Sequence, residues 1–67
     1  MEITVNNQLL IIDAPCSVTQ LLTDVLEISS GGIAVAVNEA IVTKSEWPQY
    51  TIHPHDQVML IKAIQGG

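Results

Sequence analysis

The sequence predicts an α+β fold in which a mixed sheet of four or five strands carries one α-helix across a single face. Three observations predict it. Segments near both ends of the chain alternate polar and apolar residues, one segment between them repeats apolar residues at helical spacing, and a wholly apolar run, Ile33 to Val37, follows it.

Glu2-Ile3-Thr4-Val5-Asn6 alternates as a half-buried strand does. Asn6-Asn7 follows, and asparagine tolerates the positive φ of a two-residue hairpin turn. Such a turn pairs Val5 with Gln8, Ile3 with Leu10 and Met1 with Ile12. That register sends Ile3, Val5, Leu10 and Ile12 to one face, and Leu9 and Ile11 to the other. Pro15 ends the second strand, since proline has no ladder donor. Ser17 with Gln20 three residues on reads as a capping box. Val18, Leu21, Leu22, Val25 and Ile28 then line one side of a helix of about eleven residues. Ser29-Ser30-Gly31-Gly32 is expected to end it, the glycines accepting a left-handed turn.

Ile33 to Val37 is expected to be a central, covered strand. Asn38-Glu39 turns the chain into a brief strand, Ala40-Ile41-Val42. Thr43-x-x-Glu46 permits a turn or two of helix before Pro48, with Trp47 plugging one end of the core. Tyr50-Thr51-Ile52 is expected as a minor edge strand, His53 to Asp56 as a loop, and Gln57 to Lys62 as the last strand. A right-handed crossover through the helix would set the third strand parallel to a neighbour. Hairpin, helix, then two or three strands is the order of the ubiquitin-like β-grasp. Its domain would span residues 1–63, leaving a flexible tail, 64–67, that ends in two glycines.

Composition removes several function classes. At 48% hydrophobic and 13% charged residues the chain is no disordered linker. One cysteine, Cys16, allows no internal disulfide, no signal peptide is visible, and no apolar run could span a bilayer. The expected location is the cytoplasm. Seven acids stand against Lys44 and Lys62, for a net charge of −5. Nucleic acid and anionic membranes need clustered cations, so a basic or electropositive protein partner is favoured.

Catalytic groups are sparse. Cys16 with His53 or His55 has the residue types of a thiol–imidazole pair, but no orienting group or oxyanion hole accompanies it. His53, His55 and Asp56 offer at most three metal ligands on one short loop, so no metal site is assigned. The C-terminus is more informative. Gly66-Gly67 lack side chains, can thread a narrow channel, and present a bare carboxylate to another protein's active site. Ionised at pH 7, that carboxylate is a poor electrophile and needs activation before a nucleophile can attack it.

The chain resembles the thiamine-pathway sulfur carriers (ThiS), relatives of ubiquitin and of the small subunit of molybdopterin synthase. The resemblance runs through Ile3-x-Val5-Asn6, Val18-x-x-Leu21-Leu22, Ala34-Val35-Ala36-Val37-Asn38, Ile41-Val42, Trp47, Asp56-Gln57-Val58-Met59-Leu60 and Gly66-Gly67. Two segments depart from the family's usual pattern. Val42-Thr43-Lys44 stands where many members read Val-Pro-Arg, and Pro54-His55-Asp56 where the last turn often reads Asp-Gly-Asp. The resemblance implies that a ubiquitin-activating-type enzyme adenylates the Gly67 carboxylate with ATP. Sulfur from a cysteine-derived donor enzyme would then give a thiocarboxylate, which thiazole synthase uses. On this view the protein is a co-substrate rather than an enzyme, and binds no cofactor itself. The alternatives are a carrier for molybdopterin or another sulfur pathway, and a ubiquitin-like interaction module with an inert tail.

The alternation of the last strand gives Val58 and Leu60 to the core. The first and last strands are neighbours in a β-grasp, so Met59 and Ile61 are expected to join Leu9 and Ile11 in one apolar patch on the open face of the sheet. That patch would dock on partner enzymes and steer Ile64, Gln65, Gly66 and Gly67 into their active sites.

Overall fold

The computed structural model describes residues 1–28 and 32–62. Strands β1 (Glu2–Val5), β2 (Gln8–Ile11), β3 (Ile33–Val37), β4 (Ala40–Val42) and β5 (Gln57–Lys62) form one sheet in the order β2-β1-β5-β3-β4. The architecture is the expected mixed five-stranded sheet with one helix across a single face. The hairpin register is also the expected one, Ile3 opposite Leu10 and Val5 opposite Gln8, with Ile12 N–H donating to Met1 O at 2.9 Å. Asn6 and Asn7 take the turn at φ 50° and 68°. The boundary expected at residues 63–64 lies outside the described residues, as do Ser29, Ser30 and Gly31 of the expected helix stop, whereas Gly32 is left-handed at φ 73°.

Strand adjacency agrees with expectation in that the first and last strands are neighbours, and differs in which strand runs parallel. The parallel pair is β1 with β5, whereas β3 runs antiparallel to both its neighbours, β4 and β5. The middle position accordingly belongs to β5, the last strand in sequence. Tyr50–Ile52 adds no strand to this sheet. Its backbone bonds go to the helix entrance, Val18 N–H to Tyr50 O at 2.9 Å and Ile52 N–H to Cys16 O at 2.8 Å, leaving only an isolated bridge between Ser17 and Thr51.

The helix starts as expected. Ser17 Oγ accepts Gln20 N–H at 3.1 Å, and Gln20 Oε1 accepts Ser17 N–H at 3.0 Å. After α1 (Val18–Gln20) the chain widens into a π-helical turn (Leu21–Val25). Leu26 N–H donates to Leu21 O, a step of five residues, and Glu27 leaves the helix at φ 54°. The wider step rotates Val25 outward, to 40% exposure, and brings Leu26 onto the core in its place. The helix is therefore shorter than expected, and it turns left-handed at Glu27, ahead of the glycines.

Between helix and sheet lie Ile3, Ile12, Val18, Leu21, Leu22, Val35, Val37, Val42, Trp47, Ile52 and Val58, with no buried polar side chain among the described residues. Trp47 follows a short 3₁₀ helix (Lys44–Glu46) and closes one end of this core. Glu46 N–H donates to Thr43 O at 2.9 Å, but the Thr43 side chain caps no backbone group; its Oγ1 donates to Glu46 Oε1 at 2.7 Å.

Candidate functional site

Ile64, Gln65, Gly66 and Gly67, the tail and its reactive end in the sequence reading, lie outside the described residues. The structure positions the strand that carries them. β5 is hydrogen-bonded to β1 on one side and β3 on the other, so the chain reaches Lys62 from the middle of the sheet. Its entry is fixed by a polar knot. Asn38, at φ 53° in the β3–β4 turn, accepts Gln57 N–H on Oδ1 at 2.9 Å and donates Nδ2–H to Asp56 Oδ1 at 3.0 Å. Asp56 Oδ2 also accepts His53 N–H at 2.8 Å. These bonds hold the loop through His55, which is left-handed at φ 69°.

The open face of the sheet carries the expected apolar side chains: Leu9 is 65% exposed, Ile11 61%, Met59 38% and Ile61 50%. They do not form one patch. Leu9 lies in a row with Thr4 and Gln57, and Ile11 is paired with Glu2. Met59 lies one row further along, beside Ala36 and Ile41, and Ile61 lies beside Ala34. The outer hairpin strand is thus two strand spacings, roughly 10 Å, from β5. The strand between them, β1, turns polar Glu2 and Thr4 to this face. The expectation of a single patch fails because β5 neighbours β1, whereas Leu9 and Ile11 sit on β2.

The half that adjoins the C-terminal end of β5 is the coherent one. Met59, Ile61 and Ile41 surround Ala34 and Ala36, whose small side chains leave a shallow apolar floor. Ile41, 64% exposed, was not among the expected surface residues. Its place opposite Ala36 on the outward-facing phase of β4 is the signal that could have found it.

Cys16 is half-buried beside a surface depression of about 260 Å³ lined in part by Asp13, Pro15, Gln20 and Asp24; neither histidine lines it. Burial, with a smaller contribution from Asp24, pushes the thiol above its usual range, so the nucleophilic thiolate is disfavoured. Among the described residues no three His, Cys, Asp or Glu side chains gather to hold a metal ion. Nor is any described helix long and apolar enough to cross a membrane.

The sequence model described as the ThiS family matches residues 1–67. The sulfur carrier protein ThiS of Escherichia coli (strain K12) is 34% identical over 67 residues, which is the full length of both chains. Two solved structures share the fold. A crystal structure of the thiamine biosynthesis protein ThiS from Geobacter metallireducens superposes with a TM-score of 0.87 at 23% identity, covering all of both chains. A solution structure of a thiamine biosynthesis protein from the same organism gives 0.78 at 24% identity, covering all of this chain and 88% of the other. With a family match over its whole length and a curated relative aligned end to end, the chain belongs to the ThiS family.

Proposed function

We propose that this chain is a sulfur carrier of thiamine biosynthesis, a co-substrate that two enzymes act upon in turn. The observation that carries the reading is the full-length match to the ThiS family together with a 34% identical relative named as a sulfur carrier. An activating enzyme of the ubiquitin-activating type would use ATP to convert the Gly67 carboxylate to an acyl-adenylate, releasing pyrophosphate. Hydrosulfide, released from a cysteine-derived persulfide by a thiol reductant, then attacks the acyl carbon, the acyl–oxygen bond breaks with AMP as leaving group, and a thiocarboxylate remains. Thiazole synthase takes that sulfur and returns the carboxylate.

The work of this chain is recognition and delivery. Met59, Ile61 and Ile41 offer apolar area for docking beside the strand that leads to the glycines. The net charge of −5 favours electropositive partners.

Intact-mass measurement with the activating enzyme, ATP and a sulfur source tests the reading. A carrier gains one sulfur in place of one oxygen. An unchanged mass returns the protein to the class of ubiquitin-like interaction modules. Thiazole formation on adding thiazole synthase separates the thiamine pathway from molybdopterin or another sulfur pathway.

A further inference from the structure

β1 and β5 run as a regular parallel ladder only briefly. Thr4 N–H donates to Asp56 O at 3.0 Å and Asn6 N–H to Val58 O at 2.9 Å. Donors alternate between the strands of such a ladder, so the next bond would run from Leu60 N–H to the backbone carbonyl of residue 6. The hairpin turn intervenes, because Asn6 is left-handed at φ 50° and β1 has ended at Val5. The side chain supplies the acceptor instead: Leu60 N–H donates to Asn6 Oδ1 at 2.8 Å, across 54 residues of sequence. Beyond this bond, Ile61 and Lys62 have ladder partners only on β3, at Ala34 and Ile33.

We infer that Asn6 is a positioning residue for the C-terminal chemistry: its side-chain oxygen extends the β1 ladder by one step and holds β5 in line as far as Leu60, near the end of the strand from which the reactive glycines are presented. The inference rests on the sulfur-carrier reading above. The turn alone does not call for asparagine, since glycine takes a positive φ at no steric cost. What glycine lacks is the oxygen that accepts Leu60 N–H. A strand end held on one side only samples a wider cone, and misplacing a reacting group by about 1 Å can cost orders of magnitude in rate.

The test compares full-length wild type, Asn6→Gly and Asn6→Asp as substrates for the activating enzyme in ATP–pyrophosphate exchange, alongside amide exchange at Leu60. Asn6→Gly should lower kcat about tenfold and leave KM within about twofold, because the docking face stays on the β3–β5 ladder. Its Leu60 amide should exchange faster, and the melting temperature should fall by no more than several degrees, as loss of one solvent-facing hydrogen bond entails. Asn6→Asp keeps a side-chain acceptor at the same reach and should restore kcat to within about threefold. Should Asn6→Gly fail to fold, Asn6→Ser, whose hydroxyl is too short to reach, takes its place under the same criteria. An unchanged kcat, or a loss confined to KM, overturns the inference while leaving the carrier reading intact. If wild type itself supports no exchange, the carrier reading falls and this inference falls with it.

Discussion

Trp47 donates its indole N–H to the backbone carbonyl of Val42 at 2.9 Å. The bond ties the residue that closes one end of the core to the last residue of edge strand β4. Trp47 is 3% exposed, so the ring contributes its apolar area to the core and its one polar atom is satisfied there. Lys44 Nζ lies 6.0 Å from the ring centroid, at the outer limit of a cation–π contact.

Trp47→Phe removes the donor, leaves Val42 O short of a partner and opens space beside it. A loss of about 2 kcal/mol is expected from the hydrogen bond and the smaller ring together. Urea unfolding followed by circular dichroism measures it. A change within a few tenths of a kcal/mol would mean that water replaces the indole.

Ile61→Asp and Ile41→Asp should weaken the complexes with the activating enzyme and thiazole synthase by tenfold or more with little change in melting temperature. Both side chains lie on a solvated face, and both belong to the half of that face next to the end of β5. Leu9→Asp should change affinity much less, because β1 separates it from that half. Titration calorimetry distinguishes the halves, and equal losses at all three positions would mean that docking spans the whole sheet.

Deleting Gly67, or replacing Gly66 with a bulky residue, should abolish adenylation and leave thermal stability within about a degree, because such changes lie beyond Leu60, the last described residue packed on the core. Pyrophosphate exchange and a thermal melt on the same sample check both halves of this expectation. A large fall in melting temperature would show that the tail contributes to folding.

His55→Gly should stabilise the domain by a few tenths to about 1 kcal/mol, because a non-glycine residue at φ 69° carries a Cβ penalty that glycine avoids. The backbone N–H of His55, which donates to Glu2 O at 2.6 Å, is unaffected by the change. Denaturant midpoints measure the difference, and a loss of stability would reveal a stabilising side-chain contact of His55.

Cys16 holds its proton more tightly in the folded chain than a free cysteine thiol does, chiefly through burial and secondarily through Asp24. The unfolded thiol therefore ionises first. This contribution to stability is intact below the unfolded pKa and declines as pH rises from there through the raised folded value. Cys16→Ala should flatten that alkaline decline, and alkylation of native Cys16 near pH 8 should be slower than that of a free thiol. Alkylation at the free rate would contradict both.

Local chemistry made much of the fold legible. Asn6-Asn7 between two alternating segments dictates the hairpin register, and Ser17 with Gln20 dictates where the helix begins. The outward phase of Leu9, Ile11, Met59 and Ile61 follows from the period of two. That the first and last strands are neighbours was legible as well; the antiparallel setting of β3 was not, because which edge it joins depends on packing across the whole chain. The faces follow from the alternation, but Leu9 and Ile11 sit on the second strand, so β1 holds them apart from Met59 and Ile61. The exchange of Val25 for Leu26 was hidden too, since a π turn steps by five where a helical pattern assumes 3.6. Tyr50–Ile52 has the composition of a strand, but its hydrogen bonds are taken by Cys16 and Val18.

The placement of β5 also sets an order of events during synthesis. The β1–β2 and β3–β4 hairpins share no ladder, and β5 is the strand that joins them. It is the last of the five to leave the ribosome, so the two halves cannot close over a common core until it emerges. A chain broken off before Gln57 therefore lacks an assembled sheet as well as its terminal glycines. An activating enzyme that grips the assembled sheet would spend its ATP only on chains whose translation has run far enough to be useful.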